Sequence, residues 1–239
     1  MGHDLITIYW LKALEYVLAL SYLPLFVLFW KLVNPKRPAA AKLRIAAPNW
    51  ADELRQFFQV PAGIFFHPGH TWARVEADDT VTVGIDAFAR QLVGSSAGFR
   101  LPAVGDALAQ GEPAIALAAA GKQVPMLSPV DGTVVAVNPL AHERPQVLQA
   151  APYDEGWLMK VRSPKLTANL KNLLSGDVAR LWMDAATERL GREMGGLELG
   201  QLYADGGVPV DGIAVTVSPE RWDTIARSFF LTEEGGTHV

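Results

Sequence analysis

One lysine, Lys122, lies in a mainly apolar stretch of the sequence, AIALAAAGKQVPMLSPVDG at residues 114–132. The short apolar runs on either side of it predict two β-strands joined by a tight turn, with Gly121 and Lys122 at the tip. A lysine held out on a hairpin is a usual place to attach a swinging cofactor. The first chemical question is therefore whether Lys122 carries such a group or only lies beside the place where one belongs.

The other reactive residue types form no catalytic set. His67 and His70 are three residues apart in HPGH, but no third ligand is evident nearby, so we expect hydrogen bonding within a loop rather than a metal site. We expect His142 to be exposed and Asp131, in SPVDG, to be an ordinary turn residue. No serine lies in a nucleophile-elbow motif, and no P-loop pattern is present. The sequence predicts no metal and no enzymatic activity.

Composition narrows the function classes further. The chain has 239 residues, of which half are apolar, so it has room for one large or two modest domains with a packed core. The formal net charge of −4 argues against nucleic acid as a partner. The absence of cysteine excludes disulfides, thiolate metal sites and a cysteine nucleophile.

The N-terminal region has the composition of a membrane anchor. Residues 5–33 are mostly apolar, with no charge between Tyr16 and Trp30. At about 1.5 Å per residue, a helix from Ala13 to Val33 covers roughly the 30 Å hydrocarbon core of a bilayer. The alternative is a cleaved signal peptide, with PAAA at residues 38–41 resembling a cleavage site.

The distribution of basic residues favours the anchor, because they follow the apolar run rather than precede it. Only Lys12 comes before the run, and the basic residues after it are Lys31, Lys36, Arg37, Lys42 and Arg44. By the positive-inside rule, the N-terminus faces outward and the main domain is cytoplasmic, on the inner (cytoplasmic) membrane.

Changes of composition divide the chain into five segments. They are an anchor at 1–34, a basic linker with a short amphipathic helix at 35–60, a β-domain at 61–164, a helical segment at 165–193 and a C-terminal extension at 194–239. The amphipathic helix, around Trp50 and Phe58, packs on the next domain or else lies in the membrane interface.

Helical periodicity breaks near Gly176 in the fourth segment. In the extension we expect a loop and a strand in LYADGGVPVDGIAVTV. A helix then begins at Ser218-Pro219, which are typical N-cap and first-turn residues.

From about Phe66 to Pro164, the order of motifs resembles that of the glycine cleavage H-protein family. The stretches that carry the resemblance are HPGHTWARVEADDTVTVGIDAFARQLVG, LPAVGDALAQGEP and SPVDGTVVAVNPLAHERPQVLQAAPYDEGWLMKV. The resemblance implies a mainly β fold, the barrel-sandwich hybrid of lipoyl and biotinyl carriers, followed by C-terminal helices. The anchor and about the last 50 residues lie outside it.

Members of that family carry lipoate in amide linkage on a lysine that precedes SPV on a hairpin. Counting ten residues forward from Gly111, or seven back from Ser128, places that lysine at Gly121. Lys122 is one residue late, and a one-residue shift along a strand turns a side chain to the other face. Ala118 stands where the family has an acidic residue. We therefore expect no lipoate, although a rearranged turn at Gly121 would allow lipoate on Lys122.

These observations predict an accessory or scaffold subunit that docks in a larger membrane complex, such as a redox or transport complex. The residues expected to contact its protein partners are Gly121, Val124, Trp222, Phe229 and Phe230, although the three aromatic residues fit the module's own core equally well. The alternatives are a working carrier, with lipoyl-Lys122 shuttling aminomethyl groups or reducing equivalents, and a module that binds a small molecule in the former lipoyl-arm groove.

Overall fold

The computed structural model of the chain describes residues 60–95, 97–144, 151–194, 203–204 and 208–232, together with Phe58 and single positions between residues 10 and 30. The chain forms two compact units, Met1–Pro48 and Asn49–Val239.

The described positions of the first unit, from Trp10 to Trp30, are helical, and their large apolar side chains are exposed. In the part of the chain that the structure describes, no helix is both long and apolar enough to cross a bilayer. Much of the predicted span at 5–33 and all of the basic stretch at 34–48 lie outside the described residues. The anchor therefore stays a prediction.

The second unit contains short antiparallel strands followed by helices. The described strands are β1 (Ile64–Phe66), β2 (Thr71–Val75), β3 (Thr80–Ile85), β4 (Gly98–Arg100), β5 (Ala107–Leu108), β6 (Pro113–Ala119), β7 (Lys122–Leu127), β8 (Gly132–Val137), β9 (Met159–Arg162), β10 (Tyr203–Ala204) and β11 (Val208–Pro209). The described helices are α1 (Ala87–Val93), α2 (Leu140–Glu143), α3 (Leu166–Leu170), α4 (Gly176–Met194), α5 (Ile213–Val217) and α6 (Trp222–Phe230).

Two antiparallel sheets enclose the core of this unit. The larger sheet has the order β1-β2-β3-β9-β8-β5 and the smaller one β4-β6-β7, while β10 and β11 pair with each other. Alternate residues point to opposite faces of a strand, so each sheet turns one apolar row inward. Both rows belong to one buried cluster, which includes Val81, Val83, Val161, Ile115, Leu117 and Val124. The predicted mainly β domain with C-terminal helices is confirmed.

Several local elements follow from the sequence pattern, and the predicted break near Gly176 is confirmed. TWARVE and TVTVGI form the hairpin β2–β3. DAFARQLVG forms α1, whose N-cap Asp86 accepts a hydrogen bond from the Ala89 amide at 2.8 Å. The helical period breaks at Gly176, where φ is +56°. Phe58 of the predicted amphipathic helix is buried, and its ring centroid lies 5.3 Å from that of Phe88, which supports packing on this domain.

The C-terminal extension differs from its prediction. Residues 213–217 end the stretch expected to form a loop and a strand, and they form helix α5 instead. The residue before α5, Gly212, is left-handed with φ +68°, and a Cβ atom at Gly94 would lie only 2.8 Å from its Cα. Ile213 and Ala214 are buried. Packing of α5 against the end of α1 thus overrides the strand preference of its β-branched residues.

Helix α6 begins at Trp222 with Arg221 as its N-cap, three residues later than predicted. Ser218 accepts a backbone hydrogen bond from Arg221 at 3.0 Å, so Ser218 and Pro219 form a turn that precedes the helix. The later start brings the first turn of α6 beside the hairpin β6–β7.

The aromatic residues of α6 form part of the domain's own core. Trp222, Phe229 and Phe230 are 0%, 3% and 0% exposed, and Val124 on β7 is also fully buried. The prediction that these four side chains contact a partner is therefore wrong for this structure, because the folded chain covers them.

Truncation of Phe230 tests this packing. We expect Phe230→Ala to lower the free energy of unfolding by about 3–5 kcal/mol, the usual cost of removing a fully buried ring. Leu231→Ala, at a neighbouring position that is 39% exposed, should change it by about 0.5 kcal/mol or less. Urea unfolding followed by tryptophan fluorescence measures both, and equal small effects would show that the extension is not docked.

Candidate functional site

The hairpin β6–β7 has a two-residue loop formed by Ala120 and Gly121. Ala119 pairs with Lys122, and φ is +46° at Ala120 and +77° at Gly121. Positive φ at both loop residues is the pattern of a type I′ turn, in which the second position favours glycine. The tip is therefore Ala120-Gly121 rather than Gly121-Lys122, and Lys122 is the first residue of β7. A Cβ atom at Gly121 would meet no atom within 4 Å.

The register shows on which face of the hairpin Lys122 lies. Paired residues share a face, and Leu117 pairs with Val124 on the buried side. Lys122 is two residues before Val124, so it lies on the same core-facing side. Gln123 and its partner Ala118 lie on the opposite face. The expected effect of the one-residue shift is present, since the lysine points toward the core rather than out from the tip.

Helix α6 binds the Lys122 amine where the apolar row ends. The Nζ atom donates hydrogen bonds to the main-chain oxygen of Glu220 and to Oδ1 of Asp223, the latter at 2.7 Å. The two side chains of this ion pair are 39% and 25% exposed. The hydrogen bond and charge of Lys122 lower the pKa of Asp223 below its usual value.

The same helix covers the open edge of the small sheet. Strand β7 is at the end of the order β4-β6-β7, so its outward main-chain groups have no strand partner there. Arg227 donates to the carbonyl oxygen of Gln123 at 3.1 Å, and the Thr232 hydroxyl donates to that of Pro125 at 3.1 Å. Pro125 has no amide hydrogen to satisfy. The hairpin is thus held at positions 122, 123 and 125.

Sequence reasoning did not identify this clamp, which we define as Glu220, Asp223, Arg227 and Thr232. Lys122 and Asp223 are 101 residues apart, and the partner of a surface lysine cannot be read from local pattern. The available signal was weaker: an acidic residue in the first turn of a predicted helix, where the helix dipole favours it.

The two histidines of HPGH have structural partners. Nδ1 of His67 accepts the Gly69 amide at 3.0 Å, as the predicted loop bonding requires, and burial and nearby His70 lower the pKa of His67 to about 4. Nδ1 of His70 lies 2.8 Å from Oδ2 of Asp86, and its ring stacks on Phe88 at 4.4 Å. Among the described residues, no group of three or more His, Asp or Glu side chains could hold a metal ion.

Asp131 is more than a turn residue. Its carboxylate accepts hydrogen bonds from the Gln110 amide and from Nδ2 of Asn169, each at 2.8 Å, and these bonds lower its pKa. Asn169 is buried and also accepts a hydrogen bond from Ser163 at 3.0 Å. This network fixes α3 on the β-domain. The side chain of His142 lies outside the described part of the chain.

Comparison with known proteins identifies the family. The family model described as glycine cleavage H-protein matches residues 64–185, about half of the chain. The chain belongs to the glycine cleavage H-protein family. The matched region includes both sheets, the hairpin β6–β7 and the first half of α4, while the clamp residues of α6 lie outside it.

Two individual relatives agree with this assignment. The glycine cleavage system H protein of Teredinibacter turnerae is 42% identical over 93 residues, which cover 39% of this chain and 72% of the relative. That of Nitratidesulfovibrio vulgaris is 36% identical over 116 residues, 48% of this chain and 88% of the relative. Among solved structures, the chain is also similar to a glycine cleavage system H protein from Mycobacterium marinum, with a TM-score of 0.41 and 26% identity, covering 44% of this chain and 87% of that one.

The clamp predicts low reactivity of the Lys122 amine. In wild type, N-hydroxysuccinimide acetate should acetylate Lys122 more slowly than the exposed Lys165 and Lys171. Asp223→Asn should raise the rate at Lys122 about fivefold, the factor equivalent to the ~1 kcal/mol upper value of an exposed ion pair, and leave the two reference lysines unchanged. Peptide mass spectrometry measures all three rates. Equal rates at the three lysines in wild type would contradict the clamp.

Proposed function

We propose that the chain is a membrane-anchored, H-protein-like accessory subunit that carries no lipoate and docks as a rigid scaffold in a larger membrane-associated complex. One observation carries this proposal: Lys122, the lysine that the structure describes beside the hairpin tip, is turned toward the core and bound at α6, while a glycine occupies the tip.

A carrier arm needs a lysine that projects freely from the turn. In this chain Gly121 lies in the open turn but has no side chain to carry a cofactor. Lys122 has a suitable amine but lies in the paired strand rather than in the turn. The family as a whole consists of carrier proteins rather than enzymes, so loss of the attachment residue leaves a folded β-module without a catalytic role. Such a module can still bind a partner protein through its surface.

The exposed part of the hairpin suits contact with a protein partner. Of the five residues expected to make such contacts, Gly121 alone is exposed among the described residues, at the tip. Ala118 and Gln123 lie beside it on the outer face. Small side chains let another backbone approach closely, and the clamp keeps this surface in one conformation, which lowers the entropy lost on binding.

The membrane setting of the proposal is supported by the N-terminal sequence. Residues 5–33 are apolar enough for one span, and by the positive-inside rule the basic residues that follow favour a main domain on the cytoplasmic side of the inner membrane. The partners are then the lipid bilayer and the protein subunits of a membrane complex, for which a redox complex is one candidate.

A lipoyl carrier that uses Lys122 is the second candidate. It is favoured by the partial exposure of Lys122, whose ion pair with Asp223 is of the surface type that contributes only about 0.2–1 kcal/mol. Opening of that pair would free the amine at small cost. In this account lipoyl-Lys122 shuttles aminomethyl groups or reducing equivalents between partners held near the same membrane.

Replacement of Lys122 by arginine separates the two candidates. Arginine keeps the positive charge that pairs with Asp223 but has no amine that can be acylated. If the chain is a scaffold, Lys122→Arg should correct the defect of a deletion strain as fully as the wild-type chain does. The variant extracted in mild detergent should also retain the same partner subunits. Lys122→Ala serves as the matched variant without the ion pair.

The carrier account predicts the reverse outcome. Lys122→Arg would then behave as the deletion strain, although the folded protein accumulates to the wild-type level. That result would overturn the scaffold proposal.

Removal of residues 1–34 tests the anchor. We expect the truncated chain to remain in the supernatant after ultracentrifugation of lysed cells, because the only long apolar run has been deleted. The full-length chain should sediment with membranes and resist extraction by carbonate. Continued sedimentation of the truncated chain would contradict the anchor and would indicate that the amphipathic helix around Trp50 contacts the membrane.

A further inference from the structure

Helix α4 carries an exposed apolar strip, which we define as Val178, Leu181 and Ala185. Val178 and Leu181 are 59% and 70% exposed, and Leu181 is the most exposed large apolar side chain among the described residues of the second unit. Ala185 is also exposed. Residues three and four apart lie next to one another on a helix surface, so these side chains form one continuous row.

The other side of α4 is the one that packs within the chain. Ala179, Met183 and Leu190 are buried there. At 100° per residue, the strip lies on the far side of the helix from these three, so it takes no part in the core. Neighbouring exposed apolar side chains mark contact surfaces, whereas single scattered ones do not. The strip is therefore a candidate surface for contact with another molecule.

The charges of α4 suit an antiparallel copy of the same helix. Asp177 lies in the first turn and Arg192 in the last. Val178 and Arg192 lie at equal distances along the chain on either side of Ala185. A two-fold axis at Ala185 thus places Asp177 and Val178 of one copy beside Arg192 of the other, at both ends of the contact. Antiparallel helices also align their dipoles favourably.

The side chains near this axis have compatible sizes. Ala185 faces the same residue of the second copy, and its small side chain lets the two helices approach to about 8 Å, the short end of the usual range. Leu181, one turn away, then lies against Ala185 and the stem of Glu188 in the second copy. A large side chain beside a small one is the interdigitation that helix packing requires.

We propose that two copies of the chain form a symmetric dimer through α4, with the two helices antiparallel and crossing at Ala185. An anionic bilayer surface is a poorer match for the strip, because α4 carries four carboxylates and only three guanidiniums. The dimer does not depend on whether Lys122 is modified.

The chain contains no cysteine, so single cysteines can locate the contact. In the full-length chain in mild detergent, Ala185→Cys should form a disulfide-linked dimer on mild oxidation, because residues at the axis lie within the roughly 7 Å between Cα atoms that a disulfide spans. Arg180→Cys, an exposed position on the same helix but outside the strip, should stay largely monomeric. Non-reducing electrophoresis measures both. Equal cross-linking of the two variants, or none at Ala185→Cys, overturns the proposal.

A charge placed in the strip tests the association without a cross-link. Leu181→Glu should weaken dimerisation about tenfold or more, because a symmetric contact contains the changed side chain twice. Val104→Glu puts the same charge on another apolar residue, 63% exposed, and should leave dimerisation within about twofold. Sedimentation velocity of the full-length chain in detergent measures both effects.

Three results of this second experiment contradict the dimer. The wild-type chain could sediment as a monomer at every concentration, or the two glutamate variants could weaken association equally. A monomeric wild-type chain from which Leu181→Glu alone removes another subunit, or binding to lipid vesicles, would assign the strip to that partner instead.

Discussion

The contact between Lys122 and helix α6 is the constraint on which the function of the hairpin depends. An amine on the core-facing side of β7 needs partners where the apolar row ends, and the Glu220 carbonyl and the Asp223 carboxylate provide them. The same helix buries Trp222 and Phe230 in the core and covers the free edge of β7. One element thus completes the core and immobilises the segment that would have to move in a carrier.

The turn explains why the lysine lies on that side. A two-residue loop with positive φ at Ala120 and Gly121 fixes Lys122 as the first paired residue of β7. Register then places it with Val124 rather than with Gln123, because successive side chains alternate between faces. A lysine one position earlier would occupy the open tip. The difference between a free arm and a bound side chain is therefore one residue of register, and the residues that bind the side chain belong to an extension outside the family match.

Local pattern was sufficient for the β-domain and for the helical break at Gly176, since each depends on alternation or on residues within a few positions. It failed for the extension, because contacts with residues far away in the sequence decide its structure. Gly212 packs on Gly94, and Asp223 pairs with Lys122 across 101 residues. The aromatic residues of α6 appeared equally suited to a partner and to a core, and only the docked helix shows that they belong to the core.

The intact mass of the full-length chain, extracted from membranes of cells that lipoylate their other proteins, tests the central claim most directly. The clamp and the glycine at the tip predict the mass of the unmodified chain. A species heavier by one lipoyl group, mapped by peptide fragmentation to Lys122, would contradict the account and show that the clamp opens to expose a working arm.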